Sequence, residues 1–233
     1  MKIAIIQIIL GNYDIFWDDF YSSSEYYFCP RDSKDYFVFT DSSHIVNKDN
    51  VLLFYQDYLG WPFSTLFRYH MISRISDRIK DYDAIVFFNS NTIFVNEINF
   101  REFFGSPSSE LVAGIHPSFP IGTSNKYPVE KRLQSECSLS GALFYVQGCI
   151  NGGKAKPFID SVFKMRQMID KDLSNGILAK WHDESYWNYI VNMKHLKDSN
   201  TINLLNHNYL VPTIYRRNKV YKYAKVYMRS KEL

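Results

Sequence analysis

The 233-residue chain is poor in cysteine: Cys29, Cys137 and Cys149 make three, an odd number at wide spacing. They form neither a disulfide framework nor a metal-ligand set, so a reducing, cytoplasmic setting is expected. Long apolar runs are also missing. Residues 3–10 are the longest apolar stretch near the start, yet Gln7 interrupts them, only Lys2 precedes them and no small-residue cleavage site follows. Neither a signal peptide nor a membrane span is expected, which leaves peripheral contact with an inner membrane open. Charge of one sign is scarce, with 27 basic against 24 acidic residues. A net +3 is too small for a general nucleic-acid binder. His116 and His182 lack a partner at zinc spacing, which argues against a zinc hydrolase.

What the chain has in quantity is apolar and aromatic surface. Apolar residues make up 46% of it, enough for a sizeable core and too many for a disordered chain. Eighteen Tyr, eighteen Phe and four Trp supply rings that pack a core or stack on bases and sugar faces, and composition does not choose between those uses. The β-branched run at residues 3–10 ends in Gly11 and predicts a buried first strand and a turn. Ile15, Phe16, Phe20 and Tyr27 fall at helical spacing and predict a helix that ends before Pro30. Further strands are predicted at residues 36–40, 51–54, 84–88, 111–115 and 143–146, and helices at 64–80, 156–170 and 183–192. Alternating strands and helices, with strands apolar on both faces, predict an α/β sheet covered on each side. No internal repeat or low-complexity linker interrupts the chain, so residues 1–233 are expected to form one domain.

Residues 213–233 differ from the rest. They carry Arg216, Arg217, Lys219, Lys222, Lys225, Arg229 and Lys231 against Glu232 alone. Such a cluster is most simply a solvated face. The sharper reading is a tail that closes over an anionic ligand such as a diphosphate. Interleaved tyrosines keep single-stranded nucleic acid as a weaker alternative.

Three segments carry candidate chemistry. Asn89-Ser90-Asn91 follows a buried strand directly, where ligands of open α/β sheets sit. Its amides and hydroxyl can bond ribose and phosphate oxygens, whereas a divalent-metal site would want carboxylates there. The plainer reading is a polar turn. Trp181-His182-Asp183-Glu184-Ser185 puts two carboxylates, an imidazole and an indole in five residues at a helix start. Adjacent carboxylates bind sugar hydroxyls and stabilise an oxocarbenium-like transition state, although Asp183 or Ser185 would also serve as a simple N-cap. Gln147-Gly148-Cys149-Ile150-Asn151-Gly152-Gly153 follows a predicted strand and is neither a P-loop nor GxGxxG. Its glycines would admit a ligand close to the backbone, or form a plain turn.

In order along the chain, these segments resemble glycosyltransferase family 6, the family of the histo-blood-group A and B transferases, the α1,3-galactosyltransferases and shorter bacterial relatives. The resemblance rests on Asn12-Tyr13-Asp14-Ile15-Phe16-Trp17, Tyr36-Phe37-Val38-Phe39-Thr40-Asp41, Trp61-Pro62 with Thr65-Leu66 and Arg68, Phe87-Phe88-Asn89-Ser90-Asn91, His116-Pro117, Asn151-Gly152-Gly153 and Trp181-His182-Asp183-Glu184-Ser185. It implies a GT-A fold, a single Rossmann-like unit with a mixed, mostly parallel sheet. The implied reaction moves galactose or N-acetylgalactosamine from a UDP-sugar, with retention, to O3 of a galactoside acceptor, fucosylated in the blood-group case.

The resemblance also implies site residues. Ile8, Ile9, Leu10 and Tyr13 fall where the family holds uridine, and Arg68 where an arginine meets the donor sugar. Asn89 and Asn91 take the two aspartate positions of the metal motif, so transfer is expected to need no metal or other cofactor. Arg229 and Lys231 are then expected to neutralise the diphosphate. Glu184 matches the catalytic carboxylate, Asp183 the ligand of donor hydroxyls, and Trp181 a wall near the sugars. His116 matches the histidine beside the acceptor galactose. Gln147 and Cys149 match the positions that discriminate substrates, and the bulk of Cys149 favours UDP-galactose over the N-acetylated donor. A catalytically silent nucleotide- or glycan-binding module is the remaining alternative.

Overall fold

A computed structural model describes residues 1–123, 126–215, 217 and 222–231. Arg216, Lys219 and Glu232 of the basic tail lie outside the described residues. The central sheet has seven strands: β1 (Lys2–Ile9), β2 (Ser33–Thr40), β3 (Val51–Tyr55), β4 (Ala84–Phe88), β6 (Leu111–Ile115), β7 (Val146–Lys154) and β8 (Ile202–Leu205), ordered β3-β2-β1-β4-β7-β6-β8. All run parallel except β7, which is antiparallel to both neighbours. A second sheet joins β5 (Thr92–Phe94), β9 (Val211–Pro212) and β10 (Val226–Met228), so the tail folds back beside the end of β4. The result is a mixed, mostly parallel α/β sheet flanked by helices, as expected.

Strand alternation divides the core in two. Ala4, Ile6, Phe37, Phe39, Ile85 and Phe87 face α3 (Arg68–Arg74), α6 (Ala155–Ser174) and α7 (Asp183–Lys197). Ile3, Ile5, Val38, Val86 and Phe88 face α1 (Trp17–Tyr27) and α5 (Phe100–Phe104). Helix α1 follows a 3-10 turn over Gly11–Phe16 and ends at Phe28. The buried Lys34 ammonium caps that end by donating to the carbonyls of Ser24, Glu25 and Phe28, a favourable match of cation to helix C-terminus.

Two predicted elements differ. Residues 64–80 are not one helix but three short ones, α2 (Phe63–Leu66), α3 and α4 (Ser76–Ile79), interrupted at Phe67 and Ile75. Thr65 and Ser73 hydroxyls bond the carbonyls of Pro62 and His70, a competition with helical backbone that favours such breaks. The strand predicted at 143–146 instead begins at Val146 and runs through the glycine-rich segment to Lys154. Gly152 and Gly153 are there because the neighbours leave no room. A Cβ on Gly152 would stand 2.6 Å from the Ile85 carbonyl oxygen, and one on Gly153 would stand 2.2 Å from that of Glu110. Among the described residues no helix is long and apolar enough to cross a membrane.

Candidate active site

Because β7 runs against its neighbours, its beginning lies at the same sheet edge as the ends of β1 and β4. Phe88 pairs with Ile150, and the Asn89 N–H donates to the Cys149 carbonyl at 3.0 Å. This carboxyl edge of the parallel strands is where α/β sheets place ligands. The break at Phe67 starts α3 there and turns Arg68 inward, 4% exposed, with its guanidinium 3.9 Å from the centre of the Phe87 ring.

Helix α7 delivers the acidic pair. Its N-cap, His182, has φ +50° and offers no side-chain cap, so Asp183 and Glu184 occupy the first turn, where the helix dipole favours negative charge. Glu184, Asn188 and Asn192 recur every four residues and share one face. Asn188 accepts from the Val146 N–H (2.9 Å) and donates to its carbonyl (2.8 Å). Asn192 accepts from the Leu143 N–H (2.9 Å) and donates to the Phe144 carbonyl (3.2 Å). These two amides pin the helix to the start of β7 and fix where Glu184 points.

Glu184 is gripped at both oxygens. The Tyr145 hydroxyl donates to Oε1 at 2.5 Å and the Gly148 N–H to Oε2 at 2.7 Å. Burial pushes its pKa above the ordinary glutamate value, and the Tyr145 and Gly148 hydrogen bonds offset part of that. Asp183, 5% exposed, pairs with Arg68 Nη1 at 2.8 Å. Burial raises its pKa too, against the pull of the guanidinium. Arg68 is held further by Asn151 Oδ1 at 2.9 Å, the Gly148 carbonyl and a long contact to Asn89 Oδ1 at 3.5 Å. Its Nε is buried with no partner among the described residues.

A central cavity of about 300 Å³ exposes Arg68, Asn89, His116, Asp183 and Glu184 to a ligand, with Trp61 and Trp181 as exposed aromatic walls. A smaller hollow of about 70 Å³ is lined by Ile8, Leu10, Tyr13 and Lys231. It shares Thr65, Arg68 and Asn89 with the central cavity, so the two adjoin. Lys231 Nζ stands 5.5 Å from the centre of the Tyr13 ring, and crowding around it lowers its pKa.

Two further cavity groups are electrically neutral. Burial lowers the His116 pKa to about 4, and its Nδ1 accepts from the Ser118 N–H at 3.1 Å. The proton of the neutral ring therefore sits on Nε2, a donor. The Cys149 thiol, pushed up to about 12 by burial, lies 2.7 Å from Gln147 Oε1. It is no nucleophile at neutral pH.

The structure thus gathers Ile8, Leu10, Tyr13, Arg68, Asn89, His116, Gln147, Cys149, Trp181, Asp183, Glu184 and Lys231 around two joined hollows. Three expected residues lie elsewhere. Ile9 is wholly buried in the opposite core, because adjacent strand residues face opposite ways. Asn91 donates to the Arg229 carbonyl at 2.5 Å and receives no contact from Arg68, so it ties the tail to β4 and does not line either hollow. The Arg229 guanidinium is paired with Asp19 and lies against Phe16, 5.0 Å from its ring centre. Tyr145, Asn151, Asn188 and Asn192 were not singled out for these roles. The spacing of Glu184, Asn188 and Asn192 was the signal for a polar helix face, but nothing in the sequence names its partner strand.

An open α/β sheet with a buried acidic pair and an arginine at its carboxyl edge, beside an aromatic-walled cleft, has the layout of a sugar-transferring enzyme. The comparison with known families agrees. The model of Glycosyltransferase family 6 matches residues 1–233, and the chain belongs to that family, whose members have a GT-A-like fold. It is a glycosyltransferase. It is 37% identical to the O-antigen biosynthesis glycosyltransferase WbnI of Escherichia coli over 100% of this chain and 96% of that protein. It is 26% identical to the human globoside alpha-1,3-N-acetylgalactosaminyltransferase 1 and 25% identical to the rat histo-blood group ABO system transferase 2, covering 81% and 80% of this chain. The match spans only 56% and 58% of those two vertebrate proteins.

Proposed function

We propose that the chain transfers galactose from UDP-galactose, with retention and without metal, to O3 of a β-galactoside acceptor, in the cytoplasm and in the assembly of a surface polysaccharide. The name of the bacterial relative supports the last point. The observation that carries the proposal is the Arg68–Asp183–Glu184 constellation where the smaller hollow meets the central cavity. The proposal treats residues 1–233 as one domain whose tail closes over the donor.

In this reading uridine lies against Ile8, Leu10 and Tyr13, and Lys231 faces the diphosphate. Asp183 and Arg68 orient the donor galactose. The bond between the anomeric carbon and the β-phosphate oxygen breaks, UDP leaves with the electron pair, and the Glu184 carboxylate stabilises the positive charge left on the sugar. The acceptor O3 forms the new bond on the same face while its proton passes to the departing β-phosphate oxygen, and His116 Nε2–H holds the acceptor galactose by a hydrogen bond. A divalent metal fits the strand end poorly. Asn89 and Asn91 are uncharged, the Asn89 Oδ1 faces the Arg68 guanidinium, and no cluster of three His, Cys, Asp or Glu able to hold a metal occurs among the described residues. No step is routed through a metal.

Donor choice rests on Cys149, whose side chain occupies cavity space that an N-acetyl group would need. N-acetylgalactosamine is the second reading, favoured by the name of the human relative. A silent binding module is disfavoured, because Glu184 is held at both oxygens in the lining of the cavity beside Arg68 and Asp183, where a developing positive charge would meet it. The test is UDP release from both donors, with lactose and fucosylated lactose, in EDTA and again with Mn²⁺. Acceptor-dependent turnover in EDTA supports the proposal, and turnover with Mn²⁺ alone refutes its metal-free part. Glu184→Gln should cut turnover by at least about 10³-fold while UDP still binds; ordinary turnover in that variant removes Glu184 from the mechanism.

A further inference from the structure

A third hollow, about 510 Å³, opens on the other side of the Lys180–His182 turn. His182 lines both this hollow and the central cavity, whereas no residue is common to it and the uridine-side hollow. The third hollow therefore neighbours the central cavity at His182, away from the uridine-side hollow. If the donor nucleotide fills the uridine-side hollow, a ligand reaching the third arrives as an extension of the acceptor.

The wall of this third space is basic. Lys131, Arg132 and Lys180 face one carboxylate, Glu130. Glu130 is 3% exposed and already committed. It accepts from Arg132 Nε at 2.9 Å and Nη2 at 2.7 Å, and from the backbone N–H groups of Lys131, Arg132 and Lys180. Those hydrogen bonds, Arg132 foremost, lower its pKa to about 2, so its charge is permanent and its single neutralising role fixed. Arg132 Nη2 also reaches the Leu178 carbonyl at 2.6 Å, which joins the two walls of the hollow. Lys131 and Lys180 are exposed, and neither has an ion-pair partner among the described residues. The hollow is thus held by one internal ion pair, and its lining residues Lys131 and Lys180 add two positive charges with no ion-pair partner among the described residues.

We propose that this hollow is a subsite for an anionic group, a phosphate or a carboxylate, carried by the acceptor glycan beyond the galactose that receives the transferred sugar. The inference rests on the glycosyl-transfer reading above. A sugar phosphate and a uronic acid offer the same recognition chemistry, because each presents oxygens to two nearby ammonium groups.

The experiment is equilibrium binding to the UDP-loaded protein, read by calorimetry so that turnover is not required. Three probes are compared: lactose, lactose 1-phosphate, and galactose β-linked to glucuronic acid. At low salt an anionic probe should bind about tenfold more tightly than lactose, the sum of two modest exposed ion pairs. The preference should shrink at about 0.5 M NaCl, where screening shortens the reach of exposed charges. It should vanish in Lys131→Ser/Lys180→Ser with lactose affinity unchanged. Preference for the phosphate probe alone assigns a sugar phosphate, and preference for the uronate alone assigns a carboxylate. Equal affinity for all three probes overturns the subsite. If the serine variant loses lactose as well, the charge-preserving Lys131→Arg/Lys180→Arg protein decides: a lost preference there also overturns it. Binding of lactose 1-phosphate without lactose leaves the subsite standing and removes the simple galactoside acceptor. Binding of no probe removes both.

Discussion

Gly148 and Gly152 lie four residues apart in β7, and replacing each by alanine should damage the protein in different ways. A Cβ on Gly152 would stand 2.6 Å from the Ile85 carbonyl oxygen and 3.0 Å from Val86 Cα, both backbone atoms of β4 in the middle of the sheet. Neither can yield without shifting the strand, so Gly152→Ala should cost about 1–3 kcal/mol by overpacking. For a chain of this size that corresponds to a fall in Tm of about 2–12 °C. A Cβ on Gly148 would meet side chains instead: Glu184 Cβ at 3.2 Å, Asp183 Oδ2 at 3.4 Å and Glu184 Oε2 at 3.4 Å. Those atoms can move by a few tenths of an ångström, so the fold should tolerate the change and Tm should shift by no more than about 2 °C. They are, however, the carboxylates the reaction depends on. Their displacement should lower kcat by about 10–100-fold, given how steeply rate falls with misplacement of reacting groups. The assay pairs thermal unfolding with single-substrate kinetics on both variants. A Gly148→Ala protein with unchanged kcat, or a Gly152→Ala protein with unchanged Tm, refutes the reasoning for that position.

Tyr145→Phe removes the hydroxyl that stabilises ionised Glu184, so the Glu184 pKa should rise and the acid limb of the kcat–pH profile should move to higher pH; an unmoved limb shows that Tyr145 does not act on that carboxylate. Cys149→Gly opens the cavity wall and should raise the use of UDP-N-acetylgalactosamine relative to UDP-galactose by about 5- to 100-fold, and an unchanged ratio places donor selection elsewhere. Lys231→Ala should weaken UDP binding by about 5- to 30-fold and leave acceptor affinity alone; equal UDP affinity in both proteins refutes a diphosphate contact.

Much of this fold was legible because its first half is built from unbroken apolar strands. The runs at residues 36–40 and 84–88 fall inside β2 and on β4, and the order of strands and helices implied covered faces. Legibility failed where packing, and not periodicity, chose the residue. Strand β7 is disguised by glycines that only its two neighbours require. Strands β5, β9 and β10 have two or three residues each, too few to show an alternation. The site divides in the same way. Glu184, Asp183, Arg68 and His116 could be picked out from the quoted segments and converge as expected. Ile9, Asn91 and Arg229 carried the right chemistry at the right position in the chain, but strand pleat, the tail tether and Asp19 turn them elsewhere. Tyr145 carried no signal, and the spacing of Asn188 and Asn192 marked a polar helix face without naming its partner, because the partners are distant in sequence.

The reversed direction of β7 separates what this enzyme can vary from what it must keep. The chain enters the reaction site at Gln147 and Cys149, whose side chains touch ligand space, and leaves through Gly152 and Gly153, whose missing side chains hold the sheet closed. A library confined to positions 147 and 149 should therefore alter sugar preference with melting temperatures close to that of the parent protein. The same number of changes at positions 152 and 153 should instead lower the melting temperature, whatever they do to sugar preference. New specificity is available within a single strand, provided that diversity stops where the glycines begin.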